Sequence, residues 1–206
     1  MKKLGILVSG RGSNMVAIAN ACERGDLSAS VELVISNNKD SLALVSAQEK
    51  NIKTAHIGSS TYPDPDALDM AMTAVLNAHD IDLVLLAGYM KKIGPKVLSN
   101  YRGKIINIHP SLLPKFGGKG MFGINVHRAV LAAGEKESGV TIHLVDGEYD
   151  EGAILAQRAV SIAPDESAES LAAKVLKVEH VLFAETIQKI VDGSIILPSD
   201  YRQGEI

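Results

Sequence analysis

At 206 residues and 21.9 kDa, with 46% hydrophobic and 22% charged residues, the chain has the size and composition of a globular protein with its own core. A net charge of −3 without any Lys/Arg block excludes nucleic acid as the main partner, yet leaves room for a small anion held by backbone amides. The single cysteine, Cys22, excludes an internal disulfide, and no segment approaches the roughly 20 apolar residues of a membrane span, so a reducing, cytoplasmic setting is expected.

Residues 4–9 form an apolar run of buried-strand type. Gly10-Arg11-Gly12-Ser13-Asn14 turns that run into a helix through about residue 22, for which Ser13 or Asn14 is the natural N-cap. Residues 31–36 predict a second strand, 41–50 a helix and 52–57 a third strand. Pro63 and Pro65 introduce a helix over about 66–79, followed by strands at 82–87 and 104–109. Strands and helices alternating at this spacing predict βαβ units, hence an α/β fold with a doubly wound, mostly parallel sheet. Beyond His109 the chain changes texture. Residues 115–126 form a loop holding Gly117, Gly118, Gly120 and Gly123, either a lid or a plain surface loop. A helix at 127–133 stops at Gly134, and residues 139–145 and 153–162 predict two strands able to pair as an antiparallel hairpin. Ser167 caps a long amphipathic helix to about 192, with Leu171, Val175, Val178, Leu182 and Ile190 as core candidates. A short strand at 194–197 and a polar tail close the chain. All of 1–206 reads as one domain, with an N-terminal half of about 1–100 and a C-terminal half of about 101–206.

Chemistry concentrates on Lys104-Ile-Ile-Asn-Ile-His-Pro-Ser-Leu-Leu-Pro114. Side chains alternate along a strand, so Ile105, Asn107 and His109 share one face while Ile106 and Ile108 share the other. An amide and an imidazole thus stand together at a strand's C-terminal end, where α/β sheets bind ligands; otherwise they are hydrogen-bonded structural residues. The Gly10–Asn14 turn has the strand–glycine–helix order that holds a phosphate. It is no dinucleotide fingerprint, because Met15 stands where the third glycine belongs, and no Walker loop, because Gly-Lys-Ser/Thr is missing. Between the last two strands lie Asp146, Glu148, Asp150 and Glu151. They form either a solvated turn or the source of one carboxylate that orients His109 and raises its pKa, and the residues alone do not choose among the four. The six histidines His56, His79, His109, His127, His143 and His180 show no paired ligand spacing, so no metal is expected. Most of them read as surface or structural residues, with His143 the exception because its strand adjoins the acidic loop. No Gly-x-Ser-x-Gly elbow exists, Ser111 reads as a turn residue, and Cys22 as a core residue.

Asn107-x-His109-Pro110-Ser111-Leu-Leu-Pro114 resembles the signature of the folate-dependent formyltransferases. The resemblance extends over Gly10-Arg-Gly-Ser-Asn14, Leu86-Ala-Gly-Tyr-Met-Lys-Lys-Ile93, Gly139-Val-Thr-Ile-His143, Asp150 and Val178-Glu179-His180. With the N-terminal Gly10–Asn14 loop and Glu179 it points to the members that act on glycinamide ribonucleotide. It implies a Rossmann-like formyltransferase fold, with phosphate bound in the N-terminal half and folate and catalysis in the C-terminal half. The implied activity moves the formyl group of 10-formyltetrahydrofolate, as co-substrate, to the amine of N1-(5-phosphoribosyl)glycinamide in purine biosynthesis, without a metal. The implied partners are small molecules; from charge and composition no nucleic acid and no membrane partner is expected, and the expected state is a monomer or weak homodimer. Carried over, the resemblance makes Asn107, His109 and Asp150 catalytic. It places phosphate on Gly12, Ser13 and Asn14 and ribose hydroxyls on Glu179. Folate falls to Met90, Lys91, Lys92, Ile93, Asn107 and the main chain of Asp146, Gly147, Glu148, Tyr149 and Asp150. Two features depart from the family: the 117–126 loop is longer than in many members, and an arginine after the third strand has no counterpart, Pro65 falling near its place. A formyltetrahydrofolate hydrolase and a non-catalytic folate- or nucleotide-binding module are the alternatives. The phosphate-type loop opposes the first and the Asn107–His109–Asp150 set the second.

Overall fold

Apolar runs bounded by turn residues become the largely buried strands β1 (Lys2–Val8), β2 (Ala29–Ser36), β4 (Leu83–Leu86) and β5 (Ile105–His109), and the more polar β3 (Lys53–His56) forms the edge beside β2. They are parallel. Two further strands, β6 (Glu137–Leu144) and β7 (Ile154–Ser161), add antiparallel to β5 and to each other, as the hairpin reading anticipates. The computed structural model describes residues 1–198, and these carry one seven-stranded sheet in the order β3-β2-β1-β4-β5-β6-β7. After β3 the chain returns to the other side of β1. The crevice outside the carboxyl ends of β1 and β4 is therefore the switch point at which such sheets bind ligands.

Among the described residues six α-helices cover the sheet: α1 (Ser13–Arg24), α2 (Leu42–Glu49), α3 (Pro65–Ala78), α4 (Pro95–Asn100), α5 (Ile124–Ala132) and α6 (Ala168–Val191). Strand alternation divides the core in two. Leu4, Ile6, Leu85, Ile106 and Ile108 pack with Met15 and Ile18 of α1, Val126 and Val130 of α5, and Leu171, Val175 and Phe183 of α6. Leu7, Leu33, Val84, Leu86 and Ile105 pack with Met72 and Leu76 of α3 and Val97 of α4 on the opposite face. Each residue class sits where its parity along the strand puts it. Among the described residues no helix is long and apolar enough to cross a membrane.

Local chemistry shifts several boundaries. The N-cap of α1 is Gly12 at φ 74°, not Ser13 or Asn14. A side chain there is doubly opposed, because a Cβ would lie 2.4 Å from that of Ala43 on α2. Helix α4 escapes the hydrophobic pattern because it has only six residues; its signal is Gly94-Pro95 at the start. The amides of Lys96 and Val97 donate to the buried Asp69 carboxylate of α3 at 2.6 and 3.1 Å, so a tertiary contact rather than a local cap starts that helix. Ser167 caps α6 as expected, accepting from Ser170 N–H. Residues 194–197 are not a strand: the Ile195 amide donates to the Lys189 carbonyl at 2.8 Å and Leu197 is buried, folding the segment against the end of α6. The polar tail expected after it lies outside the described residues.

Candidate active site

Strand β5 ends with Asn107 half-buried and His109 buried on the face their parity assigns, and Pro110 then turns the chain away from the ladder. On the paired strand β6, His143 stands directly opposite Asn107. The His143 Nδ1–H donates to the Leu144 carbonyl at 2.8 Å, which leaves Nε2 to accept from Asn107 Nδ2 at 3.0 Å. The second Asn107 N–H faces Asp150 Oδ1 at a long 3.4 Å.

Asp150 comes from the acidic loop, and the backbone chooses it: at φ 59° its carboxylate turns inward to Asn107, His109 and His143. Its Oδ2 lies 3.4 Å from His109 Nδ1 and accepts from the Gly118 amide at 2.9 Å. Burial pushes this carboxyl up, but its neighbours, His109 and the Gly118 amide among them, bring it below its ordinary value, so it is ionised. The His109 Nε2–H donates to the Phe116 carbonyl at 2.8 Å. Burial pulls the His109 pKa below its ordinary 6.5, although Asp150 and the Phe116 carbonyl oppose it. That reverses the expected rise. One carboxylate at 3.4 Å, shared with Gly118, does not offset the loss of water around an imidazolium.

The network opens into a cavity of about 970 Å³ that passes over the strand ends from one helix layer to the other. Of the expected folate residues, Met90, Lys91, Lys92, Ile93, Asn107, Gly147, Glu148, Tyr149 and Asp150 line it. Exposed Asp146 does not. Lys92 pairs with Glu148 at 3.1 Å and lies 5.9 Å from the Tyr149 ring centre, so this end carries its own ion pair. Asn14 and Glu179 line the opposite end, joined by a 2.6 Å hydrogen bond from Asn14 Nδ2 to Glu179 Oε2. Asn14 Oδ1 is buried without a partner among the described residues, and burial raises the Glu179 pKa with Asn14 opposing. Gly12 and Ser13 are not on the cavity wall; there the turn contributes Arg11 and Asn14.

Residue patterns miss part of this wall. His143, singled out only for its neighbourhood, is inside the network. His127, read as surface or structural, is buried and lines the cavity, whose wall also takes in Lys119, Met121 and Phe122 of the glycine loop. Glu169, Ala172, Ala173 and Leu176 join Glu179 there, at a spacing that puts them on one face of α6 and could have been counted.

Comparison with known proteins agrees with this geometry. The sequence pattern of the family described as "Formyl transferase" matches residues 2–187. A chloroplastic phosphoribosylglycinamide formyltransferase of Arabidopsis thaliana is 41% identical over 94% of this chain and 67% of its own length. The phosphoribosylglycinamide formyltransferase of Haemophilus influenzae is 38% identical over 96% of this chain and 91% of its own. The chain thus spans about two thirds of the plant relative and nine-tenths of the bacterial one. The crystal structure of the enzyme of the same name from Bacillus halodurans superposes with a TM-score of 0.87, at 36% identity over 94% of this chain and 97% of that one.

Proposed function

The chain belongs to the formyl transferase family, and from that premise we infer that it transfers the formyl group of 10-formyltetrahydrofolate to the amine of N1-(5-phosphoribosyl)glycinamide. The observation that carries this reading is the joining, in one cavity, of the Asn107–His109–Asp150 network with the Asn14–Glu179 pair. The first suits formyl transfer and the second a ribose.

Folate lies against residues 90–93 and 147–150, and the ribonucleotide against Arg11, Asn14 and Glu179, its phosphate towards the start of α1. The amine attacks the formyl carbon; the new C–N bond forms, and the bond to the folate nitrogen breaks. Negative charge develops on the formyl oxygen. The Asn107 N–H engaged only by the long 3.4 Å contact to Asp150 is the one available to donate to it, while His143 holds the carboxamide in place. For His109 Nε2–H to donate to the same oxygen, that oxygen replaces the Phe116 carbonyl, an exchange the adjoining glycine loop permits. The one proton the amine loses passes, through water and the ionised Asp150 beside His109 Nδ1, to the departing folate nitrogen.

The test is loss of formyl absorbance with and without the ribonucleotide, for wild type and Asn107→Ala. Turnover should require the ribonucleotide, and the variant should lose about 100- to 1000-fold in kcat. Formyl loss to water alone would make the protein a hydrolase, and no turnover in either arm would leave a binding module.

A further inference from the structure

The mechanism leaves one buried imidazole of the cavity unused. His127 lies near the start of α5, is only 4% exposed and lines the cavity wall. Its neighbours Val126 and Val130 are locked in the layer shared with Leu171 and Val175 of α6, which fixes the ring's position. Its Nδ1 is sealed off without a hydrogen-bond partner among the described residues, so that nitrogen takes no part in meeting a ligand. Burial, and then the proximity of His109, hold its pKa below the ordinary value, so the ring is neutral with one N–H. With Nδ1 closed in, Nε2 is the nitrogen a ligand can reach.

Resting on the formyl-transfer reading, we propose that His127 is a substrate-binding residue whose Nε2–H donates to the amide carbonyl of the bound glycinamide ribonucleotide, beside the reacting amine. The cavity's two ends belong to different helix layers, and α5 shares the layer of α1 and α6, which brings Asn14 and Glu179. His127 therefore faces the ribonucleotide rather than the folate. Of that substrate's acceptors, the phosphate is drawn to the α1 turn and Arg11 and the ribose hydroxyls to Glu179. The amide carbonyl remains, in the stretch between Glu179 and His109, where His127 stands as His109's neighbour. A neutral N–H matches a neutral carbonyl, whereas a phosphate dianion would draw a second proton onto the ring.

The experiment measures KM for each substrate, kcat and thermal midpoint for wild type, His127→Ala, His127→Phe and His127→Gln. Alanine and phenylalanine should raise the ribonucleotide KM about 5- to 10-fold and leave the folate KM unchanged, as loss of one neutral hydrogen bond predicts. Glutamine, which still offers an N–H, should recover most of that loss. Phenylalanine keeps the ring's bulk and decides the matter should alanine not fold. An unchanged ribonucleotide KM, or equal rises in both KM values with a lowered midpoint, overturns the inference while an active wild type preserves the function. A wild type that never uses the ribonucleotide overturns both.

Discussion

The Asn107 carboxamide illustrates how one side chain is held ready by another. Left alone it would turn about its last torsion and present oxygen or nitrogen equally well. His143 removes that freedom, because its Nδ1–H is committed to the Leu144 carbonyl and its Nε2 can therefore only accept. His143→Ala should lower kcat about 10- to 100-fold with both KM values near wild type, since misaiming a donor costs transition-state rather than ground-state binding. Steady-state kinetics on the folded variant checks this, and a kcat within twofold of wild type would remove His143 from the positioning role. Asn107 and His109 are legible in the sequence because strand parity fixes their common face. Among the four carboxylates of the acidic loop the residues alone were neutral, and what selects Asp150 is its left-handed backbone and the Gly118 amide. His127 carries no pattern at all, since a lone histidine near a helix start is buried or exposed only by what packs over it.

At the level of elements, the glycine loop is anchored where it meets the site. The Phe116 carbonyl accepts from His109, the Gly118 amide donates to Asp150, and Gly117 between them is wedged tight. A Cβ on Gly117 would lie 2.6 Å from Leu113 Cδ2 and 3.1 Å from the Asp150 Cβ. Gly117→Ala should therefore displace Asp150 and reduce kcat about 10- to 100-fold, while costing only about 1–3 kcal/mol of stability as an overpacked site. Comparing kcat with a chemical denaturation curve separates the two effects, and a fully active variant would show that Asp150 is not held by this wedge. The loop's role as anchor was hidden because glycines advertise freedom, not the contacts that use it. For the regular elements the record follows the physics. Strand runs and long helices announce themselves by period, and the C-terminal hairpin by its two runs. Helix α4 and the N-cap at Gly12 depend on Asp69 and Ala43, residues distant in sequence, and no local pattern carries that information.

For the whole molecule, the arrangement that creates the site also sets its response to pH. Layers on both sheet faces bury His109, His127 and His180 enough to lower each pKa from 6.5, burial being the largest cause in every case. Their unfolded forms bind protons first, so the stability they allow is full above about pH 6.5 and is lost as pH falls below it. Asp150, held below its ordinary 3.8, extends that loss to lower pH, because its folded form releases the proton more readily than the unfolded one. Glu179 has the opposite sign: raised from 4.5 by burial, it contributes most at low pH and loses that contribution as pH rises through its folded pKa, which softens the acid limb. On the alkaline side, burial raises Cys22 from 9.0 to about 11 and Tyr89 from 10.0 to about 12. Both favour the folded state while neutral and withdraw that support as the unfolded chain begins to ionise. The thermal midpoint should thus be flat between about pH 7 and 8.5 and decline below about 6.5 and above about 9. Cys22→Ala, which removes the first alkaline group from the α1 face, should flatten the decline between about pH 9 and 10 and leave the acid limb unchanged. Thermal melts across this range decide the matter. A midpoint that holds constant from about pH 7 down to 5 would mean that the buried imidazoles do not resist protonation, and with that the neutral state assigned to His109 and His127 would fall.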